Sequence, residues 1–159
     1  MMKCFKCKMT SFSKPQSGLA VMEFLIVLLM LIPMMVATVE FGRYLYQLNT
    51  LTMAVRNGAR YAGDNVIVRC PGTTISVCTT LEGETQNLVA FGNIVQDNGT
   101  EILAGIAAAD VTVEEINVTG FTNPSHIRVN ANYDFSPLFD FVPDNLGITM
   151  TASTVQRAL

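Results

Sequence analysis

Charged residues are scarce, at 14% of 159 positions against 50% apolar ones, so part of the apolar content has left water altogether. After Lys14 there is no further lysine and no basic cluster interleaved with aromatics, and the remaining six Arg face thirteen acidic residues. An acidic body of this kind repels phosphates, which excludes nucleic acid as a partner. Histidine occurs once, at His126, beside Ser125 and after a proline turn, without the acid and nucleophile pattern of a hydrolase. No nucleophile elbow, phosphate loop or clustered carboxylates occur, so the chain is expected not to be an enzyme and to carry no cofactor. Internal repeats, low-complexity tracts and long linkers are absent too.

Four cysteines form two pairs. Cys4 and Cys7 have C-x-x-C spacing, but a structural zinc site takes four ligands and nothing nearby supplies the other two, so no metal is expected. Cys70 and Cys78 flank a short turn in the body and are the candidate disulfide. No cysteine sits after the apolar run in a lipobox, which excludes a lipoprotein anchor. Asp140, Asp144 and Asn145 do not match a calcium loop and read as a solvated turn, and the sequons Asn98-Gly99-Thr100 and Asn117-Val118-Thr119 read as chance triplets.

What is present begins with a basic tail. Residues 1–18 hold Lys3, Lys6, Lys8 and Lys14 with no acid. From Leu19 to Val39 every residue except Glu23, Pro33 and Thr38 is apolar, a stretch that spans about 32 Å as a helix and matches a bilayer core of about 30 Å. The positive flank places the N-terminus in the cytoplasm and the body outside it. Pro33 should kink the helix over 29–33. Beyond the span, Phe41, Tyr44, Leu45, Leu48, Leu51, Thr52, Val55 and Ala59 recur at helical spacing, an amphipathic continuation over 40–62 with Glu40–Arg43 and Arg60–Asp64 pairs. Gly63, beside Asp64 and Asn65, reads as the stop.

The head, residues 63–159, should be mostly short strands. Val66 to Arg69 and Thr74 to Val77 around Pro71-Gly72 read as a hairpin, and Glu84 to Gln96 as a helix. Glu101 to Ala108 reads as a poorer helix. Val111 and Val113, then Ile127 to Phe135, then Ile148 to Thr154 alternate as three antiparallel strands, joined at Asn123-Pro124 and over 143–147. The expected class is α+β, with a long N-terminal transmembrane and amphipathic helix packed on a small antiparallel sheet.

One constellation carries function. Ser17-Gly18-Leu19-Ala20-Val21-Met22-Glu23-Phe24 ends the basic tail on a small residue and places a lone carboxylate inside the apolar run, where a charge is costly without a partner. If the chain is cut after Gly18, the new amine of Leu19 starts the helix and Glu23 lies one turn on, so that in a bundle of offset rods one chain's carboxylate meets the next chain's amine. This segment resembles the class III signal sequence of type IV pilin-like proteins. Together with Pro33, Val39-Glu40-Phe41-Gly42-Arg43, Arg56-Asn57-Gly58-Ala59-Arg60-Tyr61-Ala62 and the stretch 148–157, it resembles the TadE-like minor pseudopilins of tight-adherence (Flp/Tad) pilus systems.

The resemblance implies a pilin-like fold, a cytoplasmic leader over 1–18, cleavage by prepilin peptidase between Gly18 and Leu19, methylation of the Leu19 amine and a registry role for Glu23. It implies inner-membrane lipid, other pilins or pseudopilins and the Tad assembly platform as partners. The implied function is that of a structural subunit or assembly factor for adhesion, surface attachment or secretion. The alternatives are an uncleaved signal anchor or an ordinary secretory cleavage. On the uncleaved reading the head is an anchored binding module outside the cytoplasm that never polymerises.

Overall fold

The computed structural model describes residues 17–70, 78–95, 100–116, 126–138 and 147–158. The chain divides into two compact units, residues 1–39 and 40–159. Expectations for Cys4, Cys7, residues 71–77, the sequons at 98 and 117, Asn123 to Ser125, and Asp140 to Asn145 fall wholly or partly outside the described residues.

Helix α1 covers Ser17–Arg69 and is assigned without a break through Pro33. From Gly18 to Val39 its side chains are exposed or nearly so, with none buried against the rest of the chain. In the second unit one stripe of the same helix turns inward. Leu51, Val55, Ala59, Ala62 and Val66 are fully buried, and Tyr44 and Leu48 pack against the same core. Each large aliphatic buried this way stabilises the head by about 1.5–3 kcal/mol. Phe41 and Leu45 are not part of it: both are exposed, at 62% and 42%. The periodic pattern spans a wider arc than one sheet can cover.

The helix also passes Gly63 and ends at Arg69, so Val66–Arg69 is helical rather than extended. Gly63 is a point of close approach, since a Cβ there would meet Gln156 Cγ at 2.9 Å and the Arg157 carbonyl at 3.1 Å. Burying Val66 and Cys70 in the core outweighs the strand preference of the valines.

Helix α2, Thr79–Phe91, starts earlier than its periodicity suggests and ends where Gly92 takes φ 71°, its N–H donating to the Leu88 carbonyl at 3.0 Å. Its inward stripe is Leu81, Thr85 and Val89. The Thr85 hydroxyl is satisfied by donating to the Leu81 carbonyl at 2.7 Å. The segment after it is not the helix expected over 101–108. The Ile102 N–H donates to the Ala90 carbonyl, Gly105 has φ 93°, and Leu103 and Ile106 fill the core as a coiled turn. A single 3₁₀ turn, Ala108–Asp110, leads into the sheet.

The sheet has the expected three antiparallel strands in order β1-β2-β3: Val111–Ile116, His126–Phe135 and Ile148–Arg157. Val111 faces Ala131, which faces Ala152; Phe135 faces Ile148, and His126 faces Arg157. Val111, Val113, Ile127, Val129, Ala131, Tyr133, Phe135, Met150 and Ala152 point into one core with α1 and α2. The other face carries Thr149 and Thr151, whose hydroxyls donate to Asp134 and Asn132 across the strands. The fold is α+β.

Two glycines of α1 carry opposite expectations. At Gly58 an added Cβ would run into the Cγ2 of Val89, a fully buried residue whose branched side chain has little freedom on a helix. At Gly42 it would meet nothing within 4 Å. Gly58→Ala should therefore destabilise the head by about 1–3 kcal/mol despite the gain in helix propensity, while Gly42→Ala should stabilise it by about 0.5–1 kcal/mol. Thermal melts of the two full-length variants in detergent micelles check this, and equal shifts would contradict the α1–α2 crossing at Gly58.

Candidate assembly and anchoring site on the N-terminal helix

Gly18, Leu19 and Glu23 lie in the first turns of α1, all exposed. Helical spacing puts Leu19 and Glu23 on one face, one turn apart. Phe24 is also exposed, and Glu23 has no hydrogen-bond or ion-pair partner among the described residues. Pro33 deprives the Leu29 carbonyl of its usual donor, and Thr38 donates its hydroxyl to the Met34 carbonyl at 2.8 Å. Among the described residues one helix is long and apolar enough to cross a membrane, and it is compatible with a single-pass anchor.

Where α1 enters the second unit, the stretch from Glu40 to Tyr44 forms a clasp. Glu40 accepts from Arg43 Nη1 at 3.2 Å through one oxygen and from the Leu138 N–H at 2.8 Å through the other. The Arg43 guanidinium lies 5.7 Å from the centre of the Phe135 ring, and Tyr44 meets the same ring edge-on at 5.7 Å. One carboxylate thus fixes both its own helix and the chain leaving β2. The Glu40–Arg43 spacing was legible in the sequence; the role of Phe135 and Leu138 was not, because they lie far along the chain.

The far end of α1 carries a second tie that no local pattern announced. Tyr61 donates its hydroxyl to Glu84 Oε2 at 2.6 Å, and Arg69 reaches the same carboxylate oxygen and the Tyr61 hydroxyl. Tyr61's hydrogen bond, then Arg69's, hold the Glu84 carboxyl below the usual carboxylate range. Burial, and then the Glu84 carboxylate, push the Tyr61 phenol up, and Glu84 raises Arg69 further. Beside this cluster Cys70 and Cys78 are joined in a disulfide, their Cα atoms 6.0 Å apart. Cys70 donates its N–H to the Val66 carbonyl at the end of α1, and the Cys78 carbonyl accepts from Leu81 and Glu82 at the start of α2.

Because Glu84 is more acidic folded than unfolded, its contribution to stability is present above the ordinary carboxylate pKa and is lost as pH falls through the lower folded value. Glu84→Gln should lower stability at neutral pH and flatten the acid side of the profile. Melting temperatures of both proteins, followed from neutral pH to below the ordinary carboxylate range, give the comparison; parallel profiles would contradict it.

Among the described residues no three His, Cys, Asp or Glu side chains gather as metal ligands. His126 opens β2 opposite Arg157.

The family model for TadE-like proteins matches residues 18–60. The chain carries a TadE-like segment. This match covers Gly18, Leu19 and Glu23, the whole apolar span, the Glu40–Arg43 clasp and the helix as far as Arg60, and it is consistent with a TadE-like protein of Tad pilus systems. The TadE-like segment ends inside α1, before Tyr61 and the head's sheet. No curated protein and no solved structure matches the chain.

Proposed function

We propose that the protein is a minor pseudopilin of a Tad/Flp-type pilus, an assembling subunit rather than an enzyme. On this reading prepilin peptidase cuts after Gly18, and the mature chain starts with the Leu19 amine. The observation that carries the reading is the TadE-like segment, which places on α1 an exposed apolar span over 19–39 whose one carboxylate, Glu23, lies a turn from Leu19. A lone exposed carboxylate inside an apolar span has a use only if a cation reaches it, and the cleaved amine of a neighbouring subunit is such a cation. The acidic head stands outside the cytoplasm, anchored by the single span in the inner membrane, and the subunit contributes to adhesion, surface attachment or secretion. Intact-mass and N-terminal analysis of the protein from its native envelope tests the reading. A chain that starts at Leu19 and co-fractionates with pili supports it, whereas a chain that starts at Met1 and stays in the membrane leaves an anchored module that does not polymerise.

A further inference from the structure

Within the second unit a cleft of about 470 Å³ lies between α1 and the coiled turn that follows α2. Gly42, Arg43, Tyr46 and Gln47 line it from the helix, and residues 102–104 line it from the turn. Helical spacing sets Arg43 and Gln47 one turn apart on one face. The turn's main chain is already engaged: the Ile102 N–H donates to the Ala90 carbonyl, and the Leu103 and Ala104 carbonyls accept from the Ile106 N–H and the Tyr133 hydroxyl. Gln47 is different. Its amide oxygen is buried with no hydrogen-bond partner among the described residues, a costly state until a donor reaches it. The terminal amide torsion is soft, so the oxygen can turn toward the cleft that the same side chain lines. On the same stretch of α1, Phe41, Leu45 and Tyr46 are exposed, at 62%, 42% and 72%.

We infer that this cleft binds the headgroup of a zwitterionic phospholipid, its phosphate against Arg43 and its primary ammonium against the Gln47 amide oxygen. Position, charge and donor chemistry select that occupant. The stretch begins two residues after the apolar span ends at Val39. A headgroup layer about 5–8 Å deep takes a helix about four or five residues to cross, which accounts for Phe41 to Leu45. Two exposed aromatics with an exposed leucine among them suit that layer rather than water, and no packing in the head explains their exposure. Glu40 already neutralises Arg43, so the site as a whole favours a headgroup without net charge over an anionic one. Arg43 still has N–H donors beyond the one given to Glu40, and a phosphate takes them. The Gln47 oxygen then requires an N–H donor, which a primary ammonium has and a quaternary one lacks. Ile102 and Leu103 supply the apolar wall for the glycerol end.

The inference rests on the proposed single-span anchoring, and its test reads lipid choice rather than cleavage or assembly, so the two can fail separately. The full-length chain is reconstituted in nanodiscs of equal parts phosphatidylethanolamine, phosphatidylcholine and phosphatidylglycerol, released into mild detergent, and its retained lipid is read by native mass spectrometry. The expected result is one retained phosphatidylethanolamine per chain, favoured about tenfold over either of the others. Gln47→Leu should abolish the preference. So should Gly42→Leu, because an added Cβ there meets nothing within 4 Å and the larger side chain narrows the cleft without straining the fold. Formation of the Cys70–Cys78 disulfide in each variant confirms that the head is folded. Soluble phosphoethanolamine or inorganic phosphate, added to the wild-type complex at the lipid's concentration, should not displace it; displacement would make this a site for a free phosphate compound and overturn the lipid. Equal retention of the three lipids, or a preference that survives both variants, overturns the inference and leaves the anchor in place. A chain that does not enter the nanodiscs removes the anchoring and this inference together.

Discussion

Gly18→Ala is expected to leave the full-length precursor in the membrane, and Glu23→Ala is expected to be cleaved normally yet fail to enter assemblies. The two effects are separable because, on the proposed reading, the two residues act at different steps. A peptidase acting at the boundary between a polar leader and an apolar helix must bring the scissile main chain close, and a methyl group on residue 18 obstructs that approach; in the structure Gly18 has nothing within 4 Å of its missing Cβ, so the fold itself gains nothing from glycine there. Glu23 in turn has no hydrogen-bond or ion-pair partner among the described residues. On the proposed reading, removing its carboxylate spares the isolated subunit and removes a charge pair formed between subunits, whose loss leaves the partner's amine without its counter-charge in low dielectric. Mass spectrometry of the envelope fraction and immunodetection in sheared pili read the two steps. The reading fails if Gly18→Ala is processed like wild type, or if Glu23→Ala enters pili at wild-type levels.

The fold was legible where a residue's neighbours in sequence are also its neighbours in space. The clean alternation from Ile127 to Phe135 gave β2, and the register with Val111 and Ala152 follows from keeping one face apolar. The apolar run over 19–39 is unmistakable by length. Local pattern fails where tertiary contact decides. Gly63 has the local appearance of a helix stop, and only the presence of Arg157 against it shows that a spacer is needed. Gly105 and the Ala90–Ile102 bond unravel a segment whose composition is helical enough. Phe41 and Leu45 continue the periodic pattern but lie beyond the reach of the sheet, exposed beside the clasp made by Glu40 and Arg43.

The candidate site divides in the same way. Gly18, Leu19 and Glu23 are a local pattern, visible as a small residue and a carboxylate at fixed spacing. The Tyr61–Glu84–Arg69 cluster joins residues 23 and 15 positions apart, and no periodicity links a half-buried tyrosine on one helix to a carboxylate on the next. What could have pointed to it is the cysteine spacing, since a bond between residues 70 and 78 brings the end of one helix to the start of another and sets Arg69 facing the first turns of α2.

Replacing both cysteines, Cys70→Ser with Cys78→Ser, is therefore expected to lower head stability by about 2.5 kcal/mol, from the chain entropy of a loop this short. In a head of this size that corresponds to a melting temperature lower by roughly 10 °C. The loss should not be confined to the seven residues between the cysteines. Cys70 is 2% exposed and belongs to the core, so a serine hydroxyl placed there must find a partner or remain buried without one. The same bond holds Arg69 within reach of Glu84, and with it gone the cluster loses the restraint that makes its hydrogen bonds inexpensive in entropy. Reductant applied to the wild-type protein should reproduce most of the shift, and the double variant should be indifferent to it. If wild type and variant melt together with and without reductant, α1 and α2 are held by the packing at Gly58 and the Tyr61–Glu84–Arg69 cluster, and the disulfide has no part in joining them.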